Sequence, residues 1–424
     1  MRENYDVAVI GLGPAGMAVS AMAAHMGLKV VGVEKRALGG ECMNTGCIPS
    51  KALLKMGHVR HLVTRCAEYA LEGKADLVST APFRQIADRL AYIRDKKTLA
   101  MLAKAELVIG RGGARFVDAH TLEVDGQRLH AKKIFICTGS VPAVPPIPGL
   151  DTVPYLTNDS LFQLERIPES MVVLGGGAIG CEMAQAFQRL GSRVSVVHMD
   201  AHLLPHGDPD AGKLLADVFT NEGIRVLNGR RIQSIAKADK GIVVVTEAGE
   251  RLEAEDLLVA AGRRFDFTEL RLDRAGVAHG PQGIRVDRYL RTSQTHIFAP
   301  GDCNGAFLFS HAAMHQGMLA FMNSLIPGPV KLNWRKYVVP WTVFTDPPVA
   351  HVGMLECDLV KQKIPYETIE SRYEDYGAAI AEGIAVGSVK AYVSKTGRVY
   401  GVRIVGEGAG EMIGEWALVA QKRL

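Results

Sequence analysis

The chain has 424 residues, 48% of them apolar and 22% charged, with a formal net charge of +4, so two to four soluble domains are expected and a single core is not. So small a net charge, without a dense run of Lys and Arg, argues against nucleic acid as a partner, and no apolar segment reaches the roughly 18 to 20 residues that cross a bilayer. Seven cysteines are too few and odd in number for a secreted disulfide framework, and no basic leader precedes the first apolar run, VAVIGLG, so a reducing cytoplasm is the expected compartment.

The first element, DVAVIGLGPAGMAVSAMAAHMG from Asp6, reads as a β-branched strand, a glycine-rich turn and a helix rich in Ala and Met; the strand VVGVEK follows. Gly11, Gly13 and Gly16 form GxGxxG between strand and helix, and Glu34 ends the next strand where an acid would hold a ribose hydroxyl. GxGxxG alone is weak, and an ordinary glycine-rich turn is its bland alternative. Here strand, helix and acid all stand where a dinucleotide needs them: backbone N–H groups and the helix N-terminus face a pyrophosphate, and a Cβ at the first glycines would block its approach.

The most specific segment is GGECMNTGCIPSK, from Gly39 to Lys51. Cys42 and Cys47 lie in a loop that runs into a helix, with Pro49 in its first turn. A helix dipole and unpaired N–H groups stabilise a thiolate at that position, which suits Cys47 to contact an electron-poor flavin, while Cys42 further out would exchange with a substrate. The alternatives are a metal site, disfavoured because the common zinc spacings differ, and two buried structural thiols.

Helical patterns follow at roughly Pro49 to Leu71 and Pro82 to Ala105, then the strand IFICTG and a proline-rich stretch from Val141 to Gly149 that marks a boundary. A second βαβ unit starts at Ser170 with SMVVLGGGAIGCEMAQAFQRLG and continues into RVSVVHM; Gly175, Gly177 and Gly180 repeat the fingerprint. Two sites imply two different dinucleotides. His198 ends the second strand, where an acid would favour NAD and an arginine NADP, so this position leaves the choice open and Gly180 leans towards NAD. DLLVAAGRR closes the second unit and IFAPGD returns to the first. From about Pro340, the strands VKAYVS and VYGVRIVG precede the helix EMIGEWALVAQKRL, an α+β region. Cys66, Cys137, Cys181, Cys303 and Cys357 stand singly in apolar or small-residue contexts and are expected in the core.

GGECMNTGCIPSK resembles the redox-active segment of the pyridine nucleotide-disulfide oxidoreductases. The likeness covers nearly the whole chain, with GAR at Gly113 to Arg115, TGS at Thr138 to Ser140, AAGRR at Ala260 to Arg264 and RTSQTHIFAPGDC at Arg291 to Cys303. It implies an α/β fold with two Rossmann-like dinucleotide-binding domains and a C-terminal α+β dimerisation domain. The implied division is 1–150 for FAD, 151–270 for NAD(P), 271–335 completing the FAD domain and 336–424 for the interface, cut short at its end. The implied cofactors are FAD and either NAD or NADP, the implied assembly a homodimer without membrane or nucleic-acid partners, and the implied substrate a small or protein-bound dithiol or disulfide. No resident metal is implied.

The same resemblance implies FAD contacts at Gly11, Gly13, Ala15, Gly16, Glu34, Lys51, Ala114, Gly139, Ser310 and His311, with Asp302 on the ribitol. Gly175, Gly177, Ile179, Gly180, His198 and Gly262 would hold the nicotinamide dinucleotide. Lys51 and Glu182 would form an ion pair beside the flavin and join Cys42 and Cys47 as catalytic groups. Ser310 is suited to cap a helix starting near His311, whose N-terminus would offset the charge of reduced flavin.

The sequence also departs from the pattern. Glu41 stands where the family usually has threonine, GRRFDF lacks the usual proline and asparagine, and Ala21 replaces the substrate-binding arginine of glutathione reductases. SHAAMHQG resembles lipoamide dehydrogenases, whereas VFTDPPVAHVG resembles mercuric reductases. No histidine follows His351, although the family's tail carries a His and Glu pair that acts on the partner subunit's cysteines; Leu424 falls inside an amphipathic pattern without a stop signal, so a longer chain is expected. The leading expectation is a dihydrolipoamide dehydrogenase-like enzyme. Its rivals are a mercuric reductase-like metal-ion reductase and a flavin-bearing scaffold without catalysis.

Overall fold

In a computed structural model, residues 2–72, 77–384 and 386–424 are described. The chain forms two compact units, one of Met1–Pro49, Gln85–Pro142 and Arg263–Tyr337, the other of Ser50–Arg84, Ala143–Gly262 and Val338–Leu424.

The first unit is built on a seven-stranded sheet. Strands Glu106–Ile109, Val30–Glu34, Arg2–Ile10 and Gln127–Ile136 run parallel in that order, with Thr121–Val124 and Arg115–Asp118 added antiparallel at one side and Ile297–Phe298 pairing with Gln127–Ile136. Strand residues point alternately to opposite faces, and both faces are covered. Val7 and Val9 pack with Ala23 and Phe321 on one side; Ala8 and Ile10 pack with Ile134 and Leu272 on the other. That double burial is why the strands are apolar runs and not alternating patterns. Helix Pro14–His25 starts with proline at its first position, where the missing N–H costs nothing. It crosses helix Ser310–Leu325 closely: a Cβ on Gly317 would sit 2.5 Å from the carbonyl oxygen of Ala15.

The second unit carries a parallel sheet in the order Arg225–Leu227, Arg193–Val197, Ser170–Leu174, Asp256–Val259, an antiparallel three-stranded sheet (Ile232–Lys237, Ile242–Thr246, Arg251–Ala254) and a five-stranded sheet backed by helix Ala409–Lys422. A buried polar knot ties its parts together. Asp208 caps helix Pro209–Asn221 through the Asp210 N–H (2.9 Å), accepts the Tyr392 hydroxyl at 3.0 Å, and lies 3.4 Å from Lys390 and 3.6 Å from Arg403. Burial pushes its pKa up, but the two cations outweigh this and hold the carboxyl below its ordinary range.

Several expected elements differ in detail. The helix expected from Pro49 to Leu71 runs from Cys47 to Thr64, whose hydroxyl turns back to the His61 carbonyl at 2.7 Å, and a short 3₁₀ turn follows over Cys66–Tyr69. The helix expected from Pro82 to Ala105 is α-helical over Pro82–Ile93, passes through one π turn at Arg94–Thr98, and ends after Leu99–Met101. Cys42 is on a short helix, Gly40–Asn44, and not an open loop; Gly39 enters it in the left-handed region, and the Asn44 amide donates to the Gly40 and Leu38 carbonyls. Cys137, Cys181 and Cys303 are buried as expected, but Cys66 is half-buried and Cys357 exposed, because the short elements that carry them lie at the surface. Among the described residues no helix is long and apolar enough to cross a membrane.

Candidate active site

In the first unit the GxGxxG turn closes as tightly as its glycines allow. A Cβ on Gly11, at φ +90°, would lie 2.4 Å from the Cys137 carbonyl oxygen, and one on Gly16 would lie 1.9 Å from that of Gly11. Gly13 differs: its Cβ position meets nothing nearer than the Gly40 Cα at 3.8 Å, and as N-cap of helix Pro14–His25 it supplies no side chain to the first N–H groups. An open, uncapped helix start is an anion site. Glu34 is held rigidly beside it, accepting the Leu12 N–H at 2.8 Å and the Arg36 N–H at 2.9 Å. A carboxylate has about four acceptor positions, so acceptor capacity remains for a ribose diol.

Cys42 and Cys47 lie near one another in this unit, both half-buried. Cys47 is the first residue of its helix, and its Sγ lies 3.2 Å from the Ser310 Oγ. Ser310 does not cap the helix that follows. The helix starts at Ser310 itself with Phe309 as N-cap, and the serine hydroxyl is turned to the sulfur instead. Two helix N-termini therefore converge on Cys47, an arrangement that favours thiolate. The buried thiols of Cys137, Cys181 and Cys303 stand in contrast, since burial pushes all three well above the ordinary range and keeps them protonated.

A polar chain leads away from the same loop. Glu41, next to Cys42, pairs both carboxylate oxygens with Arg263, one of them at 2.6 Å. The Arg263 Nε donates to the Ser140 Oγ at 2.6 Å, and a further guanidinium N–H donates to the Ser140 carbonyl at 2.9 Å. The Ser140 hydroxyl donates to the Asp302 Oδ2 at 3.1 Å. Burial raises the Asp302 pKa, against the pull of Arg263 and Ser140. Sequence reasoning placed Asp302 but missed Ser140 and Arg263 as its supports. The TGS and AAGRR segments were the available signal, yet only folding joins residues so far apart in the chain.

In the second unit, the Lys51 ammonium donates to both oxygens of Glu182, at 3.0 and 2.8 Å. Glu182 is buried and also accepts the Phe344 N–H at 2.9 Å, while the Phe344 ring centroid lies 4.5 Å from the Lys51 ammonium. The pair is thus fixed by a backbone donor and a cation–π contact, neither of which the sequence disclosed.

The second fingerprint repeats the first almost atom for atom. A Cβ on Gly175, at φ +114°, would lie 2.4 Å from the Ala260 carbonyl oxygen, one on Gly180 would lie 1.9 Å from that of Gly175, and one on Gly177 would meet nothing within 4 Å among the described residues. His198 takes the place of Glu34: its Nδ1 accepts the Gly176 N–H at 3.0 Å, the counterpart of the Leu12 N–H. Burial pushes its pKa down, with Asp200 pulling the other way. The acceptor role at Nδ1 puts the proton of the neutral ring on Nε2, which lies 3.3 Å from Asp200. Protonation of the folded ring would cost Nδ1 its acceptor role for the Gly176 N–H, and because the folded pKa is lowered this happens only as pH falls below the ordinary value of about 6.5 and through the folded value. Dinucleotide binding at this second glycine turn is expected to weaken as pH falls through that value. Dissociation constants measured from about pH 5 to 8 should show this, and His198→Gln, an uncharged acceptor, should flatten it.

The remaining expected contacts fall as follows. Ala15 is buried against Gly301 and Gly317, and Ala114 in the core of the first unit. Gly139 at φ +69° and Gly262 at φ +109° have open space where a side chain would stand. Ile179 is partly exposed, and His311 stacks on Phe309 with centroids 5.7 Å apart.

Comparison with known proteins agrees with this geometry. Residues 5–317 match the pyridine nucleotide-disulphide oxidoreductase family, and residues 339–424 match its dimerisation domain. The chain belongs to this family. Members are FAD- and NAD(P)-dependent disulfide oxidoreductases, and the expected α/β fold with a dimerisation domain is the one found. The oxidoreductase is 33% identical to a mercuric reductase of Bacillus cereus over 97% of its own length and 66% of that protein's. It is also 33% identical to a dihydrolipoyl dehydrogenase of Chlamydia trachomatis, over 100% of its length and 92% of that protein's. Among solved structures, the HOCl-induced flavoprotein disulfide reductase RclA from Escherichia coli superposes with a TM-score of 0.87 at 28% identity, over 99% of this chain and 94% of that one. The two glycine turns fit the family's two dinucleotides, because each offers a helix start with no side-chain cap and open space in front of its N-cap glycine.

Proposed function

We propose that this oxidoreductase passes two electrons between NAD(P)H and a dithiol or disulfide substrate through the Cys42/Cys47 pair, in the manner of a dihydrolipoyl dehydrogenase. One observation carries the reading: Cys47 opens a helix, and the start of a second helix, Ser310, lies 3.2 Å from its sulfur. FAD, when bound, supplies the electron exchange with nicotinamide that a cysteine pair cannot perform. The protein's own groups do the rest. Glu34 and the Gly13 helix start orient one dinucleotide, and His198 and the Gly177 helix start the other. Lys51 and Glu182 keep a fixed charge pair, and Asp302 holds the flavin's ribitol. Cys42 attacks the substrate disulfide as thiolate, forms a mixed disulfide and releases one substrate thiol; Cys47 then displaces the second, leaving Cys42 and Cys47 joined.

In this reading, 1–150 with 271–335 serves FAD, 151–270 serves NAD(P), and 336–424 pairs two copies as a homodimer in the cytoplasm. A second reading, reduction of a metal ion, is favoured by the identity to mercuric reductases. The deciding assay supplies NADH or NADPH with lipoamide or with Hg(II). Turnover of lipoamide supports the first reading, turnover of Hg(II) alone the second, and neither, with flavin bound, a scaffold.

A further inference from the structure

We infer that Glu41 and Arg263 are a charge-balancing pair that sets the reduction potential of the Cys42/Cys47 couple, Glu41 acting as a positioning residue and not a catalytic one. The inference rests on the reading of these two cysteines as the redox pair.

Glu41 immediately precedes Cys42 on the short helix Gly40–Asn44, so its charge travels with that cysteine. Arg263 answers it with both terminal nitrogens, and its guanidinium is nearly buried, with 12% of its side chain exposed against 31% for Glu41. The arginine cannot turn away, because Nε is committed to the Ser140 hydroxyl and a second N–H to the Ser140 carbonyl. A planar, doubly tethered guanidinium is a fixed cation in a site of reduced dielectric. With Glu41 ionised, the redox loop carries a neutral pair. Remove either partner, and the net charge of the segment that carries Cys42 changes by one unit.

The consequence for the couple follows from its own chemistry. Reduction of the Cys42–Cys47 disulfide by two glutathione molecules breaks the S–S bond and delivers two electrons. It yields one thiol and one thiolate, releases a proton, and joins the glutathiones as their disulfide. Only the reduced side carries the thiolate charge, so a bare Arg263 favours reduction and a bare Glu41 opposes it. A one-unit change of charge on the residue next to Cys42 or on its partner, in a partly buried site, is expected to move the equilibrium about three- to tenfold, about 14 to 30 mV for a two-electron couple.

The test is a titration of the flavin-loaded protein in glutathione redox buffers at about pH 8, with the Cys42/Cys47 state read by peptide mass after alkylation. Glu41→Gln is expected to make the pair easier to reduce by three- to tenfold, Arg263→Gln harder by a similar factor, and the double variant to return within about twofold of the parent. Shifts of the two single variants in the same direction, or in neither, overturn the inference, since a merely structural tether would loosen the loop alike in both. Should Arg263→Gln lose its flavin, Glu41→Asp replaces it: this variant keeps the charge and is expected near the parent value, and a shift equal to that of Glu41→Gln overturns the inference. If Cys42 and Cys47 form no disulfide in the parent protein, the proposed function falls as well; if they do, but fail to respond, only the charge-balance inference falls.

Discussion

Cys42→Ser is expected to lower disulfide turnover by at least about a thousandfold while leaving bound flavin and its reduction by nicotinamide within about twofold of the parent. Exchange needs a thiolate that can form and then release a mixed disulfide, and a serine hydroxyl at neutral pH can do neither. Cys47→Ser is expected to lose turnover to the same extent by a different route. Its sulfur faces Ser310 at 3.2 Å, where two helix starts meet. An anaerobic titration with NADH or NADPH should therefore show a long-wavelength absorbance band that appears at the two-electron stage in the parent, a band already present before reductant is added and bleached by two electrons in Cys42→Ser, and none at any stage in Cys47→Ser. A band that persists in Cys47→Ser would assign the flavin-facing sulfur wrongly; direct bleaching of the parent without any band would remove the dithiol mechanism altogether.

The second large effect separates the two cradles. In both, the third glycine sits with its missing Cβ 1.9 Å from a backbone carbonyl oxygen, that of Gly11 for Gly16 and that of Gly175 for Gly180. No rotation of a side chain relieves such an overlap, so the turn itself must move, and each helix start moves with it. Gly180→Ala is expected to leave FAD bound and reducible by dithionite, and to weaken NAD(P)H binding by at least about a hundredfold. Gly16→Ala is expected to yield protein without flavin. Flavin absorbance of the purified variants and stopped-flow reduction by each nicotinamide give both answers. Retention of nicotinamide binding in Gly180→Ala would show that the second cradle is not the nicotinamide site.

Much of this was legible from the chain itself. Strand, glycine turn, helix and second strand follow one another locally, so both βαβ units, their glycine turns, Glu34 at a strand end and Cys47 at a helix start are fixed by short-range geometry and steric limits. The position of His198 was equally plain, but its role was not. A histidine can donate, accept or carry charge, and only the Gly176 N–H at 3.0 Å makes Nδ1 an acceptor and sets the tautomer. Ser310 shows the limit of local rules: its type and place suited a helix cap, yet a sulfur from 263 residues away offered its hydroxyl the contact found.

The sequence by itself thus determined the fold class, the two glycine turns at helix starts and the placing of Cys47 at a helix start, because these depend on spacing along the chain and on which residues tolerate which backbone angles. Only the tertiary structure decided what surrounds them: the Phe344 ring and N–H around Lys51 and Glu182, and the chain from Glu41 through Arg263 and Ser140 to Asp302. Those contacts join segments more than a hundred residues apart. Their strength comes from burial and exact direction, two quantities that no spacing in the sequence encodes.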